Sequence, residues 1–257
     1  MHRSASRLTR ILACAAVPVM LVVAGCSSDS GSKKEGGSSS SAPGAKKSVA
    51  AVAPAKFAEL PDPCKAISTK TITSLVPKAK SKAGSPATSS DTSVRAGCSW
   101  NGLDDNGVKG SQYRWLDVGF TRFDSDQALG SGAKRAEDDF TKQLAKTRTA
   151  EGAKKLVEAP VSGIGEQATK VTYDLAKTGE DFKYATIVAR TGNVVVTLTY
   201  NGAGYAGAKT PSGTDILKDA EKAAKEAVAA VSDTNATSVD KQSSPSASPS
   251  KSAKSSN

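Results

Sequence analysis

From Gln112 to Phe123, Leu116, Val118 and Phe120 alternate with Asp117, Gly119 and Thr121, the period-two pattern of a strand with one buried face. A strand is also predicted over Val94 to Gly102, and Asp104-Asp105-Asn106-Gly107 supplies the turn between the two. Three more strand-like runs follow, Thr169 to Asp174, Phe182 to Arg190 and Asn193 to Tyr200, the last two joined by the hairpin signal Thr191-Gly192. In the last run Val194, Val196, Leu198 and Tyr200 share one face, and Val195, Thr197 and Thr199 the other. Elsewhere the period lengthens. Leu129, Ala133, Ala136, Phe140 and Leu144 recur at helical spacing within Ser125 to Lys146. Ile216, Ala220, Ala223, Ala227 and Val231 do the same within Asp215 to Ser232, with Ser212 and Asp215, or Thr214 alone, as the cap. Asp62-Pro63 is a helix-entry signal for Leu60 to Val76, where Ile67, Ile72, Leu75 and Val76 fall near helical spacing. Ser81 to Thr92 is a polar loop, and Thr199 to Gly213, rich in glycine and carrying Tyr200 and Tyr205, is a contact loop. The order α-β-β-α-β-β-β-α argues an α+β domain, an antiparallel sheet packed with helices, rather than a doubly wound parallel sheet.

The chain ends differ from this middle. His2, Arg3, Arg7 and Arg10 precede an apolar run from Ile11 to Ala24. Those residues fall short of the ~20 that a spanning helix needs and match the core of an export signal. The run closes with Val23-Ala24-Gly25-Cys26, which resembles the lipobox of bacterial lipoproteins. The resemblance implies cleavage after residue 25, a diacylated Cys26 and a protein tethered to the outer face of the cell membrane, since two acyl chains hold stably where one does not. Residues 26–56, mostly Ser, Gly, Ala, Pro and Lys, read as a flexible stalk, and residues 233–257 as a similar tail. Residues 57–232, a single α+β domain, hold both tryptophans, all five tyrosines and all five phenylalanines. Asn235-Ala236-Thr237 matches a glycosylation acceptor, a match read as incidental behind a bacterial signal.

Charge changes the picture little. The formal net charge is +10, but much of the excess lies outside residues 61–232, and no cluster pairs basic with aromatic residues. A solvated surface near an anionic membrane accounts for it, and no nucleic-acid partner is expected.

With Cys14 in the signal and Cys26 assigned to lipid, Cys64 and Cys98 remain. Outside the cytoplasm such a pair forms a disulfide, worth about 4 kcal/mol for a loop of this size in the chain-entropy model. A redox pair is the alternative, without the usual C-x-x-C spacing; a metal site lacks any partnering histidine.

Three motifs then come together: Asp62-Pro63-Cys64 opening a short helix, Cys98-Ser99-Trp100 in a strand, and Gly163-Ile164-Gly165-Glu166-Gln167-Ala168 ahead of a hairpin. They resemble a family of secreted actinobacterial lipoproteins known only as a domain of unknown function. The resemblance covers residues 57–232 and implies the Cys64–Cys98 disulfide, the lipid anchor and a sandwich distantly similar to the photosystem-associated PsbP and Mog1 fold. It implies no catalytic site. The sequence departs from the pattern near Glu166 and Gln167, where such proteins often carry Asp.

The chain has a single histidine, His2, inside the signal. That removes Ser-His-Asp and Cys-His machinery and histidine-ligated metals. Neither a P-loop nor a dinucleotide fingerprint is present, so no cofactor or metal is expected. Gly163-x-Gly165 reads as a turn, and Asp104 to Gly107 as a turn rather than a calcium loop. Asp104, Asp105, Asp117, Asp138, Asp139 and Glu166 leave a carboxylate hydrolase open. Trp100, beside Cys98, is expected in the core. Tyr113 and Trp115 either line a groove or pack under a helix, and with Tyr205 they form the candidate binding surface. The leading expectation is a non-catalytic envelope module that binds, senses or assists an unknown partner or ligand. A structural lipoprotein without ligand is the alternative.

Overall fold

The alternation along Leu116, Val118 and Phe120 is satisfied by a sheet with helices on both faces. The computed structural model describes residues 51–242, with residues 237–242 as backbone only. In chain order the elements are α1 (Thr69–Leu75), β1 (Ser85–Pro86), β2 (Arg95–Asp104), β3 (Ser111–Arg122), α2 (Gly132–Arg148), β4 (Lys154–Pro160), β5 (Gln167–Lys177), β6 (Glu180–Thr191), β7 (Val194–Tyr205) and α3 (Gly213–Gln242). Among the described residues the strands form one antiparallel sheet of order β1-β2-β3-β7-β6-β5-β4. The fold class is α+β, as the pattern predicts.

The first face holds the larger core. Cys98, Trp100, Leu116, Val118, Phe120, Ile187, Val196 and Leu198 pack beneath α1 and the stripe Ile216, Ala220, Ala223, Ala227 and Val231 of α3. The small side chains of that stripe let the helix lie close on β6 and β7. Cys64 and Cys98 are joined, Cα to Cα 5.2 Å, which ties the segment before α1 to β2. Two polar contacts hold α1: the Tyr200 hydroxyl donates to Leu75 O at 2.7 Å, and Glu226 of α3 accepts from Ser68 N and the Thr71 hydroxyl. On the second face α2 lays Ala136, Phe140 and Leu144 on Val171, Val188 and Val195. Thus the first half of β7 is covered on both faces, which explains the unbroken run Val194-Val195-Val196 at its start.

Several boundaries differ from expectation for identifiable reasons. Asp62 does not start the first helix; its carboxylate accepts from Cys64 N in a turn, and Ser68 caps α1 instead. The second helix starts at Gly132 rather than Ser125. Asp126 accepts from Ala128 N and Leu129 N, Gly130 takes φ 97°, and Ser131 supplies the cap. Leu129 and Ala133 are therefore exposed, and the buried stripe is Gly132, Ala136, Phe140 and Leu144. Two strands appear that the pattern did not predict. β1 has only two residues, and β4 is an exposed edge strand with a register shift between Lys154 and Val157 that breaks its alternation. Nearly half of the predicted glycine-rich loop is strand: β7 continues through Gly202 and Gly204 to Tyr205.

The fold also takes in residues on both sides of the expected domain. Ser125 donates its hydroxyl proton to Ala53 O. The buried Asn193 accepts from Phe57 N and donates to Phe57 O and Phe123 O. α3 passes residue 232 and runs to Gln242, so that Asn235 accepts from Ala58 N and Glu59 N and donates to Glu59 O. The supposed glycosylation asparagine thus clamps the incoming chain. The signal, Cys26, most of the stalk and the end of the tail lie outside the described residues.

Candidate functional site

α2 does not cover the whole second face. Its apolar stripe spans β5, β6 and β7 at one end of the sheet, leaving β2 and most of β3 uncovered by helix, while the far end of β7 is buried beneath its neighbours' side chains. Side chains two apart on a strand, and those opposite each other in register, share a face. On this face β3 presents Tyr113, Trp115, Asp117 and Gly119 in succession. Across the sheet, Tyr173, Tyr184, Asn201, Trp115 and Asn101 form one row. Leu175 pairs with Phe182, and Tyr113 lies between Ala203 and Leu103, forming the next row outward.

The rings in these rows touch. Tyr113 meets Phe182 and Tyr205 edge to face at 5.9 and 6.5 Å, and Phe182 meets Tyr205 at 6.2 Å. Tyr173 and Tyr184 stack at 4.9 Å. Burial pushes the Tyr113 phenol above its ordinary value and that of Tyr173 up to about 12, so both remain neutral donors at physiological pH. Against this cluster opens a cleft of about 400 Å³, with Tyr113, Tyr205 and Leu103 on its walls and Lys80 and Asn101 at its rim. Leu103 is 45% exposed and Trp115 37%.

Beyond Trp115 the same face continues as a groove of about 440 Å³ along β2 and β3. Gln143 and Lys146 of α2 wall one side, Ala87 to Ser89 the other, and Asp117, Gly119 and Gly97 lie between. Gly119 keeps the floor low: a Cβ there would meet only Thr197 O, at 3.9 Å. Two acceptors on this face lack donors. Asn201 is 3% exposed and its Oδ1 is buried without a hydrogen-bond partner. Asp117 is half-buried, and burial raises its carboxyl above the usual range with no charge of opposite sign to counter it.

The predicted site residues are thus partly gathered. Tyr113 and Tyr205 line one cleft; Trp115 stands beside it on the same face but does not line it. Trp100 is in the core, as expected, donating from Nε1 to Lys82 O at 3.2 Å. The other carboxylates go elsewhere. Asp105 accepts from Gly107 N and the Ser111 hydroxyl, closing the β2–β3 turn. Glu166 pairs with Lys56 at 3.0 Å and Arg190 at 2.9 Å; burial works to raise its carboxyl, and these partners with a contact from Gly192 leave it below the usual range. The Gly163 to Ala168 motif is a structural turn: Gly163 and Gly165 have positive φ, Ile164 enters the core, and Glu166 N donates to Arg190 O. Missed from sequence were Phe182, Tyr184 and Asn201. Phe182 and Tyr184 flank Lys183 with period two, a legible signal; Asn201 lies in the stretch whose glycines predict a loop.

A family model described as Protein of unknown function (DUF3558) matches residues 21–177. The chain belongs to this family. The match runs from within the apolar leader through β5, so it takes in β2, β3 and α2 but not β7, which carries Asn201 and Tyr205. No curated protein matches the chain. Among solved structures, LpqN of Mycobacterium tuberculosis, described as involved in cell envelope biogenesis, is 17% identical with a TM-score of 0.28, over 56% of this chain and 82% of that one. Likeness at that level says nothing about function.

Proposed function

We propose that this protein is a lipid-anchored, non-catalytic binding module of the cell envelope, and that its ligand seat is the open half of the sheet along β3. The observation that carries the reading is the aromatic cleft where α2 leaves the sheet bare: Tyr113, Phe182 and Tyr205 in mutual contact, opening onto a cleft of ligand size. The anchor rests on the sequence alone, on the basic head, the short apolar core and the Val23-Ala24-Gly25-Cys26 motif. No helix among the described residues is long and apolar enough to cross a membrane.

The described chain enters the fold at residues 53–59, clamped by Ser125, Asn193 and Asn235 beside the β6–β7 turn. β7 then runs twelve residues to Tyr205, about 37 Å over its length at ~3.4 Å per step. The aromatic cleft therefore lies at the end of the sheet remote from residues 53–59. A photoreactive amino acid at Trp115, activated in intact cells, should capture a ligand or partner, while the same group at the exposed Leu129 captures nothing in common with it. Identical products from both positions, or none from Trp115, would sink the reading.

A further inference from the structure

We infer that the open face of β3 is a trough for a saccharide chain, with the rings of Tyr113 and Trp115 under the sugar faces and Asn201 and Asp117 accepting from its hydroxyls. This rests on the binding reading above and names the class of ligand. From Tyr113 to Gly119 the open face of β3 extends about 20 Å, at ~3.4 Å per residue, long enough for several pyranose rings. The glycines at 97 and 119 leave the floor without side chains where a bulky ring would lie, and Gln143 and Lys146 bound it on the α2 side. The decisive features are the two acceptors. Asn201 Oδ1, opposite Trp115 on β3 and Tyr184 on β6, is buried with no donor. Asp117, opposite Ser99 and Thr199, has no hydrogen-bond or ion-pair partner among the described residues.

An occupant of this face must offer flat apolar surface and hydrogen-bond donors together. A pyranose does so: its axial C–H groups meet an aromatic ring and its equatorial hydroxyls donate outward. An acyl chain would cover the rings and leave both acceptors unpaired, which is unfavourable in a desolvated site. A polyanion would meet the Asp117 carboxylate. Because Asn201 Oδ1 is covered, a hydroxyl reaches it only when a neighbouring ring moves. The part-exposed indole of Trp115, opposite Asn201 in the register, is the ring whose displacement would open that path.

The test applies the full chain, in mild detergent, to an array of oligosaccharides of hexoses, pentoses and N-acetylhexosamines, then titrates any hit by calorimetry. Binding should fall at least tenfold in Trp115→Ala, Asn201→Leu and Gly119→Leu. Gly119→Leu fills the groove without a backbone clash, so it should keep the parent melting curve and separate loss of binding from loss of fold. A parallel arm uses palmitate as the apolar probe. No sugar binding at millimolar concentration, or binding equal in all three variants, overturns the inference. Palmitate bound by the parent and not by Gly119→Leu, without any sugar hit, overturns the saccharide class and leaves the binding face standing. Failure of both probes overturns the saccharide class and counts against the face itself.

Discussion

At the scale of single residues, two polar side chains show opposite logic. Asn193 is fully buried and satisfied, bridging Phe57 to Phe123 and so pinning the incoming chain to the end of β3. Its replacement by alanine leaves three backbone groups short of a partner and should lower unfolding free energy by about 2–4 kcal/mol in urea titration. A loss below about 0.5 kcal/mol would show that the clamp contributes little. Asp117 is the reverse. Burial raises its folded carboxyl above its ordinary value, so ionisation opposes folding. For a raised carboxyl the favourable contribution is full below the unfolded value and is lost as pH rises through the folded one. Asp117→Asn should therefore raise the melting temperature at pH 7 by a few degrees, and the gain should vanish as the pH drops below about 3.8. An unchanged melting temperature at pH 7 would mean that Asp117 is solvated and not held for a ligand.

At the scale of elements, the glycines of the strands separate structure from site. Gly204 lies inside β7, where a Cβ would come within 2.2 Å of Ala208 O, whereas the Cβ at Gly119 points into open space. Gly204→Ala should destabilise clearly, and Gly119→Val should be neutral or stabilising by about 0.5–1 kcal/mol, because glycine weakens a strand interior. Chemical denaturation of the two variants side by side checks this. Equal losses would mean that the second face of β3 is packed rather than open. The same residues explain what the sequence disclosed. Alternation revealed β3, and the apolar stripe revealed α3, because in each one face does most of the burying. β4 was illegible because its bulge disrupts the period, and the end of β7 because Gly202 and Gly204 mimic a loop. The candidate rings Tyr113 and Tyr205 were visible as aromatics on a predicted strand and loop. Asn201 was not, since nothing in a sequence says that an amide will be buried without a donor.

At the scale of the molecule, one end of the sheet gathers the chain entry, the Glu166 bridge and the late turns of α3, while the other gathers the rings. The disulfide closes a 34-residue loop across α1 and β1, and removing it in a Cys64→Ala/Cys98→Ala pair should cost about 2–4 kcal/mol while leaving the cleft intact. The tether itself is tested by palmitate labelling, which should disappear in Cys26→Ala. The most direct test of the central claim uses the two indole N–H signals of the ¹⁵N-labelled chain during titration with a soluble extract of the cells that make it. Trp100, buried and bonded to Lys82, serves as the internal control. The Trp115 signal should shift in a saturable way while that of Trp100 stays fixed, and the shift should be absent in Gly119→Leu. Two unmoved signals at saturating extract, or a Trp115 shift that survives Gly119→Leu unchanged, would contradict the assignment of the open face as the ligand seat.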